Sequence, residues 1–379
     1  MCFWVINSGL VFLLCVFLAG IVIPQILLIA FRRKLFDVPD ERKIHHVVVP
    51  RLGGIAFKPV ILFSIYLLVG INMLVGHPEI SVEIENNIRP LVFELCAIMV
   101  LYLVGMADDL IGVKYRAKFT VQIMCGAMLI AGGICIDNLH GILGLHEIPG
   151  WFSWPLTVLV IVFIVNAVNL IDGIDGLASG LCSCACLFYG MIFFMLGQYI
   201  YAMLSFATLG VLVPFFYYNV FGNPNRGKKI FMGDTGSLTI GIILSFLSIR
   251  LTQMPSVAAT YDPNPIILAF SPLMIPCLDV VRVYIHRVQN KQNPFLPDKN
   301  HIHHKLLAVG IRQRLTMVII VCMSLMFMTF NILLSKYVDA TVLLILDIAI
   351  WICVNILISA AIKRRKALGK ISEAIENNN

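Results

Sequence analysis

Charge is scarce in this chain. Only 13% of its 379 residues are Asp, Glu, Lys or Arg, and the acidic ones number 21. A soluble domain carries about 25% charged residues, so an ordinary water-exposed surface is excluded. Long polar linkers, internal repeats and soluble insertions are missing too, which argues against an array of domains. No basic stripe is interleaved with aromatics, so nucleic acid is not an expected partner despite a formal net charge of +7. Cysteine is present in eleven copies but without a framework. Cys182, Cys184 and Cys186 lack metal-ligand spacing and sit in an apolar run, so they read as small apolar side chains rather than disulfide or zinc partners. The first apolar run, Phe3 to Phe31, lacks a basic start and is too long for a cleaved leader, so it reads as a retained span.

Apolar length is what the chain has instead. Hydrophobic residues make up 59% of it and the mean hydropathy is +0.91. A membrane-crossing helix needs about 20 mostly apolar residues. Eleven runs qualify, near 3–31, 53–76, 90–107, 119–136, 151–169, 177–197, 199–219, 237–255, 264–285, 316–335 and 340–361. The expected fold is an all-α polytopic membrane protein of about 11 transmembrane helices, forming one domain over residues 1–379.

The loops between these runs alternate in basic charge. Segments 32–51, 108–118, 220–236, 286–315 and 362–379 hold 23 of the 28 Lys and Arg residues. The positive-inside rule therefore places the N-terminus outside and the C-terminus in the cytoplasm. Every notable polar cluster falls on the same basic side, so five loops could meet in one site there.

Each cluster has a bland reading beside the functional one. Asp108-Asp109 ends the third run in GMADDLIG. It is either a solvated loop start or an acidic centre, with Lys114, Arg116 and Lys118 following for a phosphorylated ligand. The stretch NAVNLIDGIDGL at 166–177 supplies Asn166, Asn169, Asp172 and Asp175. If helical, positions 169, 172 and 175 share a face; otherwise the aspartates decorate a turn. In FMGDTGS at 231–237, Asp234 resembles a helix N-cap, and the same geometry would let it hold a divalent cation on an anion. Arg226, Lys228 and Lys229 just upstream suit phosphate. In PDKNHIHH at 297–304 the histidines lack structural-zinc spacing, and imidazoles facing phosphate fit better beside Lys299 and Lys305. His45 and His46, near Arg42, Lys43 and Arg51, are further candidates. Carboxylates for Mg2+ beside basic groups for a pyrophosphate suggest phosphoryl transfer between a soluble nucleotide and a lipid.

These ordered motifs, from DVPDERKIHHVVVPRLGG at 37–54 to PFLPDKNHIHHKL at 294–306, resemble the polyprenyl-phosphate N-acetylhexosamine-1-phosphate transferases. That group is related to the phospho-N-acetylmuramoyl-pentapeptide translocases. The resemblance implies Mg2+-dependent transfer of a sugar-1-phosphate from a UDP-N-acetylhexosamine to undecaprenyl phosphate, releasing UMP, with Mn2+ as a substitute ion. It implies a multi-pass protein of the bacterial inner membrane, among membrane lipid, with its active site on the cytoplasmic face; homodimerisation is left open. Asp234 is then the principal metal ligand and Asn169 the second. Asp108, Asp109, Asp172, Asp175, His301, His303 and His304 are the catalytic candidates. Lys43, Arg51, Lys118, Asn219, Phe231, Asp298 and Lys299 are the substrate-binding candidates, with Phe231 stacking on uracil.

One departure is informative. The pentapeptide translocases have a lysine three residues after the second aspartate, where this chain has Gly112, and their HHH is here HIHH. That favours transfer of GlcNAc-1-phosphate, an initiating step of cell-envelope polysaccharide synthesis, over lipid I synthesis. Two rivals from other classes fit less well. An ion-coupled transporter would place its polar groups near the bilayer midplane with repeat symmetry. A CDP-alcohol phosphatidyltransferase would need an arginine soon after its DG, and Asp175-Gly176-Leu177-Ala178-Ser179 has none.

Overall fold

The computed structural model describes residues 1–33, 35, 49–254, 264–293 and 300–376. Among them the chain forms thirteen α-helices: α1 (Cys2–Arg33), α2 (Phe57–Val75), α3 (Pro78–Ile111), α4 (Tyr115–Ala131), α5 (Gly150–Ile171), α6 (Leu177–Met195), α7 (Tyr199–Val220), α8 (Gly233–Thr252), α9 (Pro265–Phe270), α10 (Met274–Gln289), α11 (Ile302–Val309), α12 (Gln313–Leu334) and α13 (Ala340–Glu376). A single isolated bridge, Asn138 to Glu147, is the extended pairing seen among the described residues. Among the described residues ten helical segments are long and apolar enough to cross a membrane. The eleventh expected span is α4, which at 17 residues is shorter than the rest.

Besides α13, which continues to Glu376 rather than ending near residue 361, two boundaries differ from the sequence expectation. α3 starts at Pro78, not near residue 90, and its 34 residues reach about 51 Å, well beyond a 30 Å hydrocarbon layer. Glu79, Glu83, Glu85 and Arg89 hide this extension from a hydropathy reading. The early turns are tied to α7 instead: Tyr201 donates to Asn87 Oδ1 at 2.8 Å and the Ile200 amide to Glu83 at 3.3 Å. The run at 264–285 is broken, because a 3-10 turn at Ser271–Leu273 containing Pro272 separates α9 from α10.

The core is organised around α8. Every residue from Thr235 to Ile249 is buried, as expected of a helix that is apolar all round. Its hydroxyls are satisfied internally, Thr239 on the Thr235 carbonyl at 2.6 Å and Ser245 on that of Gly241 at 2.7 Å. α3 and α5 flank it. α1, α12 and α13 lie outside and expose Leu13, Phe17, Met326, Ile356 and Leu357, the surface a bilayer would cover. The buried α8 begins at one end of the bundle, and that end carries the polar motifs.

Candidate active site

The start of α8 is reached by the end of α3. Gly105 permits this: a Cβ there would stand 2.6 Å from the Thr235 Cα, so any other residue would push the helices apart. One turn later, Asp109 meets the first amides of α8. Its Oδ1 accepts from the Asp234 amide and its Oδ2 from the Thr235 amide, each at 2.8 Å, and Oδ2 also takes the Thr235 hydroxyl at 2.5 Å. The bland alternative for Asp234, a cap on its own helix, is therefore not what the structure shows. α8 begins at Gly233 without a side-chain cap of its own, and Asp109 supplies the cap from another helix.

Released from capping, the Asp234 carboxylate faces Lys118 at the start of α4. The ammonium lies 2.7 Å from Asp234 and 2.9 Å from Asp108, so one cation joins two motifs more than a hundred residues apart. The other Asp108 oxygen accepts from the Val113 amide at 2.6 Å. α5 enters from the opposite side: Asn169 donates to Ser237 of α8 at 2.7 Å, and Asn166 donates to Gln122 of α4 at 2.6 Å.

α5 ends at Ile171 and Asp172 is its C-cap residue, so positions 169, 172 and 175 do not share one helical face. The chain turns through residues 172–176 before α6. Burial first, then the negative charge of Asp234, push the half-buried Asp172 carboxyl up to about 7; Arg51 pulls the other way. Asp175 is paired with Lys229 at 2.5 Å. Lys229, expected to await a phosphate, is thus engaged by a carboxylate. Asn219 holds the same corner, accepting from the Gly176 amide at 2.6 Å and donating to the Ile230 carbonyl at 2.8 Å. Both ends of this substrate-binding candidate are engaged with backbone.

Phe231 stands beside this corner, with Lys229 Nζ 5.8 Å from its ring centre. Its backbone is clamped, the amide donating to the Pro50 carbonyl and the carbonyl accepting from Gly53, each at 2.9 Å. Arg51 belongs to the same segment and lies exposed near Asp172. Lys43, Asp298 and Lys299 lie outside the described residues, as do His45 and His46.

The histidine motif closes the site. His303 is buried against the acidic turn, where a Cβ on Gly173 would come within 2.2 Å of the His303 Nε2. Burial first, then His304 and His301, push the His303 imidazole down to about 3, so it is neutral near pH 7. Among the described residues neither of its ring nitrogens has a hydrogen-bond partner. His301 stacks parallel to His303 at 5.8 Å, and His304 tilts against it at 4.2 Å. Burial first, then Arg282, push the neighbouring Lys305 ammonium down to about 8.

The sequence reading missed Asp279. It is fully buried in α10 and holds His301 Nδ1 at 2.8 Å. A single aspartate inside the apolar run 264–285 was the available signal.

Among the described residues no three His, Cys, Asp or Glu side chains stand together as a ready-made metal cage. Mg2+ does not need one, since it usually takes one or two carboxylates and completes its shell with water and substrate phosphates. Asp234 and Asn169 offer oxygen donors from adjoining helices, and the Lys118 ammonium already marks the convergence of Asp234 and Asp108 as a place for positive charge. The donor set fits Mg2+ and equally Mn2+. It does not resemble a zinc site.

Comparison with known proteins identifies relatives of the chain. The model of Glycosyl transferase family 4 matches residues 91–252, the segment from α3 through α8. A probable undecaprenyl-phosphate N-acetylglucosaminyl 1-phosphate transferase of Bacillus subtilis (strain 168) is 31% identical over 309 residues, 81% of this chain and 79% of that protein. The undecaprenyl-phosphate alpha-N-acetylglucosaminyl 1-phosphate transferase of Escherichia coli (strain K12) is 28% identical over 348 residues, covering 91% and 89%. That of Yersinia pestis is 26% identical over 294 residues, covering 77% and 74%. With identity at this level extending over four fifths of its length, the chain belongs to the polyprenyl-phosphate N-acetylhexosamine-1-phosphate transferases of glycosyl transferase family 4.

Proposed function

We propose that this protein transfers GlcNAc-1-phosphate from UDP-GlcNAc to undecaprenyl phosphate, releasing UMP, at the cytoplasmic face of a bacterial inner membrane. The product would initiate a cell-envelope polysaccharide. The observation that carries the reading is the Lys118 bridge between Asp108 and Asp234. It draws the DD pair and the FMGDTGS motif into one site, in a chain whose relatives are named for this transfer.

The chemistry follows from the groups at hand. An oxygen of the acceptor phosphate attacks the sugar-proximal phosphorus of the UDP-sugar. A new P–O–P linkage forms, the bond from that phosphorus to the bridging oxygen breaks, and UMP leaves with the electron pair. A phosphate monoester has its second pKa near about 6 and is largely dianionic at neutral pH, so no strong base is required. Asp108 agrees with that: both its oxygens are engaged, one by Val113 and one by Lys118, which suits positioning rather than proton removal. Lys118 supplies positive charge where two anionic substrates meet. Mg2+, held by Asp234 and Asn169, would offset charge on the pyrophosphate and the departing UMP. Phe231 offers a ring to stack on the uracil, and the histidines a polar wall.

Membranes containing the protein are incubated with labelled UDP-GlcNAc, UDP-GalNAc or UDP-MurNAc-pentapeptide and undecaprenyl phosphate. Label entering lipid from UDP-GlcNAc, with stoichiometric UMP, is the expected result. Incorporation only from the pentapeptide donor would replace this reading with lipid I synthesis.

A further inference from the structure

We infer that Asp279 is a positioning residue for the transfer: it fixes the ring of His301 with the proton on Nδ1, so that Nε2 is the atom presented to substrate. The inference rests on the transferase reading above and adds to it a residue that lies outside the acidic and histidine motifs.

The geometry is specific. Asp279 lies within α10, and none of its surface reaches solvent. A carboxylate so placed is costly unless every lone pair is used, and here both oxygens are. Oδ1 accepts from Arg282 at 2.9 Å and from the Ile302 amide at 3.0 Å. Oδ2 faces His301 Nδ1 at 2.8 Å. Arg282 also donates to the Asn300 carbonyl, so the residue before the histidine motif is held by the same cluster. A carboxylate accepts only, so Nδ1 must carry the proton in this contact. The other ring nitrogen, Nε2, makes no hydrogen bond with a described residue, although the side chain as a whole is buried. It is the ring atom that remains for a ligand.

His301 in turn lies flat against His303, whose ring rests on Gly173 between Asp172 and Asp175. One contact therefore connects the core of α10 to the wall of the site. Among the described residues Asp279 bonds to Arg282, His301 and Ile302 rather than to the acidic loops or the metal ligands, so its effect has to pass through the histidine motif. A partner that orients a working imidazole typically changes function by about 10- to 100-fold when removed.

The test is a double-mutant cycle on the full-length protein in detergent with undecaprenyl phosphate, varying labelled UDP-GlcNAc. Asp279→Asn presents an NH2 group to Nδ1 and forces the opposite tautomer. A fall in kcat of about 10- to 100-fold is expected, with the donor KM changed less than about threefold. In a His301→Gln background, Asp279→Asn should then lower kcat by less than about twofold. An equal loss in both backgrounds would mean that Asp279 merely supports the fold, and unchanged kcat would also overturn the inference. If Asp279→Asn does not fold, nitrogen NMR of histidine-labelled wild type decides, with the His301 signals identified by their loss in His301→Gln. A proton on Nδ1 supports the assignment and an unprotonated Nδ1 ends it. A wild type inactive with every UDP-sugar would refute the transferase reading instead, while the NMR result would still decide the tautomer.

Discussion

Asp109 caps α8 from another helix: both its oxygens accept from the Asp234 and Thr235 amides, leaving the Asp234 side chain free to face Lys118. The second aspartate of the DD pair thus builds the site by holding a helix end in place. Asp109→Ala should cost about 2 kcal/mol or more of stability, since it removes a charged cap and its hydroxyl contact. The melting temperature in detergent should fall together with activity. An inactive Asp109→Ala protein with an unchanged melting temperature would show instead that Asp109 acts on substrate.

Lys118 occupies the place between Asp108 and Asp234 where a divalent cation would also be drawn. Its ammonium competes with that cation for Asp234 while compensating the charge of Asp108. Lys118→Gln should therefore tighten Mn2+ binding, read by EPR, and still lower kcat by about 100-fold, because the positive charge facing the phosphates is gone. Weaker Mn2+ binding in the variant would contradict this division of labour.

Asp172 gives the site a pH dependence. Its folded carboxyl titrates at about 7, above the ordinary carboxylate value, because of burial and then the charge of Asp234. Since the folded value is raised, the proton favours the folded form. That contribution is fully present below pH about 4, where the unfolded carboxyl is also protonated, and is lost as pH rises through about 7. A cation bound nearby must displace this proton. Divalent-ion affinity should then climb between pH 5.5 and 7.5, by about 10-fold, and level off above. Asp172→Asn should flatten the climb in a Mn2+ titration. A slope that persists in the variant would assign the titration to another group.

The helical architecture was legible because hydropathy speaks directly of spans, and the acidic and histidine motifs are contiguous strings. What escaped were the relationships between them. The cap on α8 comes from Asp109, 125 residues before Asp234, and no local spacing announces it. Lys229 reads as a phosphate ligand beside Arg226 and Lys228, yet its partner Asp175 lies 54 residues away. Asn219 looks like a free polar group but is enclosed by the backbone of Gly176 and Ile230. The helical extension of α3 was hidden because its polar turns find partners on α7. In each case the missing information was three-dimensional proximity, which residue type alone does not encode.

The contact between Gly173 and His303 shows how tightly two motifs are fitted. A methyl group at position 173 would lie 2.2 Å from Nε2 of a buried ring, too close for small adjustments. The ring is hemmed in by His301 and His304, so the acidic turn and the start of α11 would have to separate. Gly173→Ala should therefore destabilise the protein by about 1–3 kcal/mol, the usual range for overpacking, and displace Asp172 and Asp175 from the histidine wall. Removing the ring should relieve the clash: Gly173→Ala combined with His303→Ala should melt at a higher temperature than Gly173→Ala alone, without regaining activity. Strictly additive losses in melting temperature would mean that the two residues do not press on each other. The same ring adds a second signature. With its folded pKa at about 3 against an unfolded value near 6.5, His303 stays neutral while the unfolded chain takes up a proton. Stability should fall as pH drops from about 6.5 toward 3, and in His303→Gln that part of the decline should be absent.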